Sequence, residues 1–445
     1  MQLSRALRLK PGLAVAFTGA GGKTSAIRRL VVENSRLPRD DAGSILITTS
    51  TRLGQDQEDL AALHLIGPSQ DQIADLPESV RKHHAVLVTG PLLEDKWIPP
   101  TDPVLEELHR IASEIDALLL IEADGARGRS LKAPAKHEPV VPNFVDLVVL
   151  MAGLDVLGQA IRSEAVHRPE LVAALLRAPQ KAQIGPVQLA RVLAAKDGGL
   201  KGVPEGAEVR VLLNQAEANA LEPGRLVAQN LMKNARVQAV VLASLLDDDP
   251  VREVHGRVAG VVLAAGGSSR LGEPKQLIEW RGHPLVWHAV RAADDLDPVA
   301  VVMGEAVRDI RSVLKKESIT LVENADWETG QSSSVRAGLE SISKGSEAAV
   351  FLLADMPFVN SDLVSALVQR HRQTLASVVA PLAGGRRANP VLFDRGTFPD
   401  LQALEGDHGG SAIFSRFDRE LVEWDDRVLL DLDTPEDLDR LRSME

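Results

Sequence analysis

The 445 residues include no cysteine, which excludes disulfides, iron–sulfur ligation, thiolate zinc and a cysteine nucleophile. Basic charge is also short: 50 Lys and Arg against 62 Asp and Glu leave a formal net charge of −12. The chain therefore offers no basic footprint for nucleic acid, and any anionic substrate has to be captured locally by loops and metal. No apolar run approaches the roughly 20 residues that span a bilayer. The opening MQLSRALRLKPGLAVAF lacks the long apolar stretch and cleavage site of a secretory signal. A cytoplasmic protein with no membrane or nucleic-acid partner is expected.

What is present is globular composition, 44% hydrophobic and 25% charged. The length exceeds what one core usually supports, and two domains fit best. Two segments open alike: LAVAFTGAGGKTSAIRRL and VAGVVLAAGGSSRLGEPKQL each pass from an apolar, strand-like run through a glycine loop into helical periodicity. Each reads as the start of an α/β domain. Further strands are expected at SILITTS, HAVLVTG, ALLLIEAD, LVVLMAG, VRVLLNQ and VQAVVLAS, then at PVAVVMG, TLVEN, AAVFLLAD and SVVAPL. The amphipathic stretches between them are long enough for parallel crossovers, so both halves are predicted to be parallel, three-layer sheets. The domains are expected at 1–250 and 257–445, with the acidic, proline-containing DDDPVREVHGR at about 247–257 as linker.

In the second half, a strand running through Leu263, Ala264 and Ala265 leads into Gly266, Gly267, Ser268 and Ser269. There small or absent side chains let backbone N–H groups approach phosphate oxygens. Arg270 and Lys275 are placed to neutralise a triphosphate. Asp355 in AAVFLLADMPFV follows a continuous apolar strand, where an open α/β sheet presents its ligand crevice, and Pro357 ends that strand. A carboxylate there suits Mg2+ shared with substrate phosphates; it equally suits a helix cap.

These residues resemble the molybdenum cofactor cytidylyltransferases and their relatives among nucleotidyltransferases with a GT-A-like, Rossmann-like fold. The resemblance rests on LAAGGSSRLGEPKQL, NADWETGQSSSVRAGL, LLADMPFV, GRRANPVLF, GDHGGSAIF and DLDTPEDL, in the family's order across 258–445. It implies transfer of CMP from CTP to molybdopterin carrying molybdenum, with release of pyrophosphate, for a molybdenum hydroxylase client. On that reading Gly266, Gly267, Ser268 and Ser269 hold phosphates, Arg270 and Lys275 stabilise the leaving pyrophosphate, and Asp355 binds Mg2+. CTP rather than GTP is implied by Ala265, where guanosine users more often have a second glycine.

Other residues carry two readings each. Gly330, Gln331, Ser332, Ser333 and Ser334 start a helix, pointing donors at a nucleotide or pterin phosphate or simply capping it. In GGRRANPVLF, Arg386 or Arg387 meets an anionic phosphate or is solvated, and Asn389-Pro390 leads into a strand. GDHGGSAIF resembles a Gly-Asp-x-Gly-x-Arg pattern, with Ser411 where an alanine-arginine pair is expected. Asp433 is the candidate second metal ligand, while Thr434, Pro435, Glu436 and Asp437 read as a cap and first turn. Phosphoryl transfer of this kind needs positioning and charge neutralisation, so no protein nucleophile is assigned.

In the first half, FTGAGGKTS departs from P-loop spacing, with Phe17 standing five residues before Gly22, but keeps Gly19, Gly21, Gly22, Lys23 and Thr24 between strand and helix. This resembles the ATP loop of Mur ligases, with Glu122 and Asp124 as Walker-B-like acids; a structural turn at Asp124-Gly125 is the competing account. With ITTSTRLG at 47–54 and RGRSLKAPAKHEPVVP at 127–142, residues 9–245 resemble the YqeC family, accessory proteins linked to selenium-dependent molybdenum hydroxylases. Lys132, His137 and Glu138 are further candidates, His137 more simply a surface residue. The chain is thus expected to be a P-loop-like ATP-binding α/β domain fused to a cytidylyltransferase. The rival readings are a sugar-phosphate or isoprenoid-precursor nucleotidyltransferase and a carrier or insertion chaperone that binds nucleotide and cofactor without turnover.

Overall fold

A computed structural model describes residues 1–38, 43–267, 271–342 and 344–444. The chain divides into two compact units, Met1–His255 and Gly256–Glu445. Among the described residues no helix is long and apolar enough to cross a membrane.

The first unit is built on strands β1 (Ala14–Gly19), β2 (Ile45–Thr49), β3 (Leu63–Ile66), β4 (Ala85–Thr89), β5 (Leu118–Glu122), β6 (Leu147–Gly153), β7 (Glu208–Asn214) and β8 (Ala239–Ala243). They lie in the order β8-β7-β6-β1-β5-β2-β4-β3, with parallel pairing between neighbours. Helices α1 (Lys23–Ser35), α2 (Asp102–Glu114), α3 (Pro186–Ala194) and α4 (Ala218–Leu231) connect them. Strand side chains alternate between faces. Ala14, Ala16 and Val148 point to the face covered by α2, and Leu150, Val211 and Leu213 to the core built with α3 and α4. Val15 and Phe17, fully buried, point the other way, and α1 packs beside them on β1 and β5. Because β1 and β5 are neighbours, the glycine loop after β1 and the acids at the end of β5 are brought to one edge of the sheet.

The expected linker is instead strand from Val251 onward. Val251, Val254 and Glu253 are buried, and Glu253 accepts hydrogen bonds from Arg225 and pairs with His255 at 2.8 Å. Buried apolar positions and a paired acid make this segment ordered structure despite its acidic composition.

The sheet of the second unit takes residues 257–264 of β9 (Val251–Ala264), then β10 (Val299–Met303), β11 (Thr320–Glu323), β12 (Ser346–Leu353), β13 (Val378–Ala383), β14 (Val391–Asp394) and β15 (Arg419–Glu423). The order is β11-β10-β9-β12-β14-β13-β15. This sheet corrects the all-parallel expectation: β14 is antiparallel to both β12 and β13. Helices α5 (Leu285–Ala292), α6 (Val307–Val313) and α8 (Ser361–Thr374) bury Val286, Ile310 and Leu363 against the face carrying Val262, Val301, Val350 and Leu392. On the opposite face, α7 (Gln331–Ser341) packs Val335 and Leu339 against Val261, Val302 and Phe351. The contact is close: a Cβ on Gly338 would lie 2.4 Å from Val261 Cγ1. The last helix, α9 (Pro435–Arg442), has a capping box between Thr434 and Asp437, as the cap reading anticipated.

Candidate active site

At the end of β9, Ala265 is buried and Gly266 and Gly267 are exposed. Ser268, Ser269 and Arg270 lie outside the described residues. The loop is pinned from below by Gln276, whose side-chain amide donates to the Gly266 carbonyl at 2.7 Å. Next to it Lys275 sits on a short turn, its Nζ 2.5 Å from Asp355 Oδ2 and 2.8 Å from Asp433 Oδ1. The second carboxylate arrives because the Leu432 N–H bonds the Asp355 carbonyl. Burial alone would lower the Lys275 pKa, but Asp355 and Asp433 outweigh it and hold the ammonium above its ordinary value. Asp431 is pushed up, first by loss of hydration and then by repulsion from Asp433 and Asp355.

These groups open on a cavity of about 490 Å³ lined by Leu263, Ala265, Gly266, Gly267, Lys275, Gln331 and Asp355 among others. Its far wall is Trp327, Glu328, Thr329, Gly330 and Asp407. Trp327 is accommodated because Gly267 and Gly304 have no side chains; Cβ atoms there would lie 3.2 and 2.8 Å from its ring. Gly330 starts α7 at φ 118°, and a Cβ would lie 2.5 Å from the Gly406 carbonyl, so only glycine fits. Gln331 faces the cavity. Ser332 is buried and outside the lining, its Oγ without a partner among the described residues. Asn324 instead donates to the Oγ atoms of Ser333 and Ser334, and Ser334 does reach the cavity wall. Ala264 points into the core on the other face.

A smaller cavity, about 160 Å³, shares Leu263, Gln331 and Leu353 with the first and is lined by Arg387, Asn389, Phe393, Ser411 and Phe414. Arg387 lies over the Phe414 ring at 3.7 Å. Of the two arginines considered from sequence, it is thus Arg387 that faces a cavity; Arg386 is exposed and outside both linings.

In the first unit, the Lys23 ammonium donates to the Gly19 carbonyl at 2.8 Å and pairs with Asp124 at 3.1 Å, both side chains buried. Asp124 Oδ2 accepts the Gly19 N–H at 3.0 Å and pairs with Lys132 at the same distance. The Thr24 hydroxyl donates to Glu122 at 3.1 Å; burial is the main cause raising the Glu122 pKa. Lys132 reaches onward to Glu138 at 2.9 Å, and Arg168 meets the same carboxylate at 2.7 Å. Burial opposes ionisation of Glu138, but Arg168 and Lys132 hold its pKa at about 2. The predicted loop residues and acids therefore converge, Lys132 and Glu138 join them, and His137 stays on the surface with its side chain 78% exposed.

Residues 260–422 match the family described as MobA-like NTP transferase domain, and residues 15–170 match the YqeC protein family. The chain is 30% identical to nicotine blue oxidoreductase of Paenarthrobacter nicotinovorans over 42% of this chain and 94% of that one. It is 30% identical to the purine catabolism protein PucB of Bacillus subtilis over 41% and 95%. A probable molybdenum cofactor guanylyltransferase of Bacillus mycoides is 27% identical over 31% and 66%. The chain belongs to the MobA-like NTP transferase family, with a YqeC domain preceding the transferase domain.

For a MobA-like transferase, the implied divalent metal can be tested against this donor set. Asp355 Oδ1 is buried and has no hydrogen-bond partner among the described residues, and Asp433 is half exposed beside it. Among the described residues no group of three or more His, Asp or Glu side chains is arranged to hold a metal. Two carboxylates, completed by substrate phosphates and water, fit Mg2+. Three participants went unnoticed in sequence: Gln276, Trp327 and Arg168. Trp327 lay inside the quoted NADWETGQSSS motif, but an isolated tryptophan carries no spacing signal. Gln276 and Arg168 act through contacts that only the folded chain reveals.

Proposed function

We propose that the second unit transfers CMP from CTP to the phosphate of molybdopterin carrying molybdenum, in the cytoplasm, for a molybdenum hydroxylase client. The observation that carries this reading is Lys275 held between Asp355 and Asp433 at the mouth of a glycine-edged cavity of nucleotide size. Gly266 and Gly267 leave backbone N–H groups open to phosphates, and Ala265 favours CTP over GTP by the family resemblance. A phosphate oxygen of the acceptor attacks the α-phosphorus of CTP. The bond from that phosphorus to the bridging oxygen breaks, and pyrophosphate leaves with the bonding electrons. Lys275, cationic throughout the physiological range, neutralises the charge that gathers on the leaving group. Asp355 and Asp433 would hold Mg2+, which when bound polarises the transferred phosphate and offsets its charge. The adjoining Arg387 and Asn389 cavity would receive part of the acceptor. In the first unit, Gly19, Gly21, Gly22, Lys23 and Thr24, with Glu122 and Asp124, would bind ATP and Mg2+.

The test is Mg2+-dependent pyrophosphate release with molybdenum-loaded molybdopterin, comparing CTP, GTP and ATP, with Asp355→Ala as control. Release with CTP that vanishes in the variant supports the proposal. Release with GTP alone overturns the base assignment. Binding of nucleotide and cofactor without release favours the carrier reading, which Ser411 in GDHGGS keeps in view. One 30% relative is named an oxidoreductase, so pyrophosphate release rather than family membership decides the reaction.

A further inference from the structure

A third cavity, about 390 Å³, opens where the chain leaves Asp355, and none of its lining residues is shared with the cavity at Lys275. Its volume falls within the roughly 300–1,000 Å³ typical of small-molecule sites. One wall is a hairpin, Glu279–Trp280 paired with His283–Pro284, whose turn residues Arg281 and Gly282 have φ of 47° and 78°. Both positive values match a type I′ turn, which fixes the tip of the hairpin. The other walls are α5, through His288 and Arg291, Phe358 on the loop after Pro357, Asn360 and Ser361 at the start of α8, and Trp424, Asp425 and Arg427 after β15.

The walls are aromatic and cationic, with one carboxylate, Asp425, engaged by Arg427. Trp280 meets Phe358 edge-on at 5.4 Å and His288 at 5.0 Å. Three arginines, Arg281, Arg291 and Arg427, line the same space. Arg291 is paired with Glu317 and Asp294, and Arg427 with Asp425. Arg281 makes no ion pair among the described residues; its guanidinium lies 4.4 Å over the Trp280 ring. Trp280 is only 6% exposed, yet among the described residues its indole N–H has no hydrogen-bond partner. A buried donor left unpaired is costly and calls for an acceptor. Arg281, on the exposed hairpin tip, covers this ring. The α8 N-terminus, where Asn360 caps the Leu363 N–H at 3.0 Å, adds the positive end of a 14-residue helix.

We propose that this cavity is a second small-molecule site, taking a planar heteroaromatic ring that carries a phosphate or carboxylate group. The ring stacks among Trp280, Phe358 and Arg281 and supplies the acceptor for the indole N–H. Its anionic group is held by Arg281 and the first turn of α8. A hydrocarbon ring would leave the indole unpaired, and a simple anion would leave the aromatic walls uncovered. The proposal goes beyond the transferase reading and stands without it, because no residue of the Lys275 site takes part.

The test uses the full chain without metal or CTP, titrated with pterin-6-carboxylate and, separately, with CMP, by calorimetry. Saturable binding of either probe that weakens at least about fivefold in Arg281→Ala, and again in Trp280→Phe, supports the site. The probe that shows this dependence tells whether the source is a pterin or a nucleotide. Arg281 is exposed on a turn, so its variant keeps the fold and suffices if Trp280→Phe does not. If neither probe binds saturably, or if binding is indifferent to Arg281→Ala, the proposal is overturned.

Discussion

Lys275 and Asp355, 80 positions apart in the chain, meet with Nζ 2.5 Å from Oδ2, and Asp433 closes on the same ammonium from the other side. An ammonium between two carboxylates in a half-buried position is fixed in direction and stays charged, since its pKa is raised. Lys275→Met removes the cation without removing the stem. The expected outcome is a loss of kcat of about 100-fold or more, the size found when one preorganised charge-stabilising donor is deleted. Steady-state pyrophosphate release checks it; a kcat within a few-fold of the parent would show that Lys275 only pairs the carboxylates.

Trp327 forms the far wall of the same cavity, its ring seated over the bare backbone of Gly267 and Gly304. An aromatic face in a nucleotide-sized cavity is suited to stack on a base, worth about 1–3 kcal/mol. Trp327→Ala is expected to raise KM for the nucleotide about tenfold and leave kcat nearly unchanged, because the contact is remote from the reacting phosphorus. A fall in kcat with constant KM would place the ring's role elsewhere.

The apolar strands of both units were legible because runs such as ALLLIE and AAVFLL are buried on both faces and so lack polar interruptions. Strand direction was not, because β14 carries the same apolar residues whichever way it runs. Its antiparallel setting follows from the short connection at 384–390, too brief for a crossover. Likewise Lys275, Asp355 and Asp433 were each recognisable as site residues, but a lysine lodged between the two acids is a product of the turn at 275–277 and the Leu432 to Asp355 bond. Arg168 and Trp280 had no motif around them. Their significance is set by partners 30 residues away in one case and by a missing partner in the other.

Gly338 lies on the inner side of α7, where a Cβ would approach Val261 Cγ1 to 2.4 Å. Gly338→Ala gains helix propensity of up to about 1 kcal/mol but overpacks the α7 interface against β9, at a cost of about 1–3 kcal/mol. The collision is with a β-branched side chain in the sheet core, which has little freedom to turn away. A net loss of stability is therefore expected, visible as a lower midpoint of urea unfolding for the second unit. An unchanged or higher midpoint would mean that α7 shifts freely on the sheet.

Glu138 links stability of the first unit to pH. Its carboxyl, partly buried between Lys132 and Arg168, has its pKa depressed from the ordinary 4.5 to about 2. A group whose folded pKa is lowered stabilises the fold above its unfolded pKa, and that contribution disappears as pH falls through the folded value. The loss is therefore expected between about pH 4.5 and pH 2, and amounts to about 3 kcal/mol when complete. Glu138→Gln keeps the shape of the side chain but cannot ionise. At pH 7 the variant should unfold at lower urea than the parent, and the gap should narrow as the pH is taken to 4 and then 3. A gap that stays constant across that range would show that the two cations hold Glu138 through shape and neutral hydrogen bonds alone.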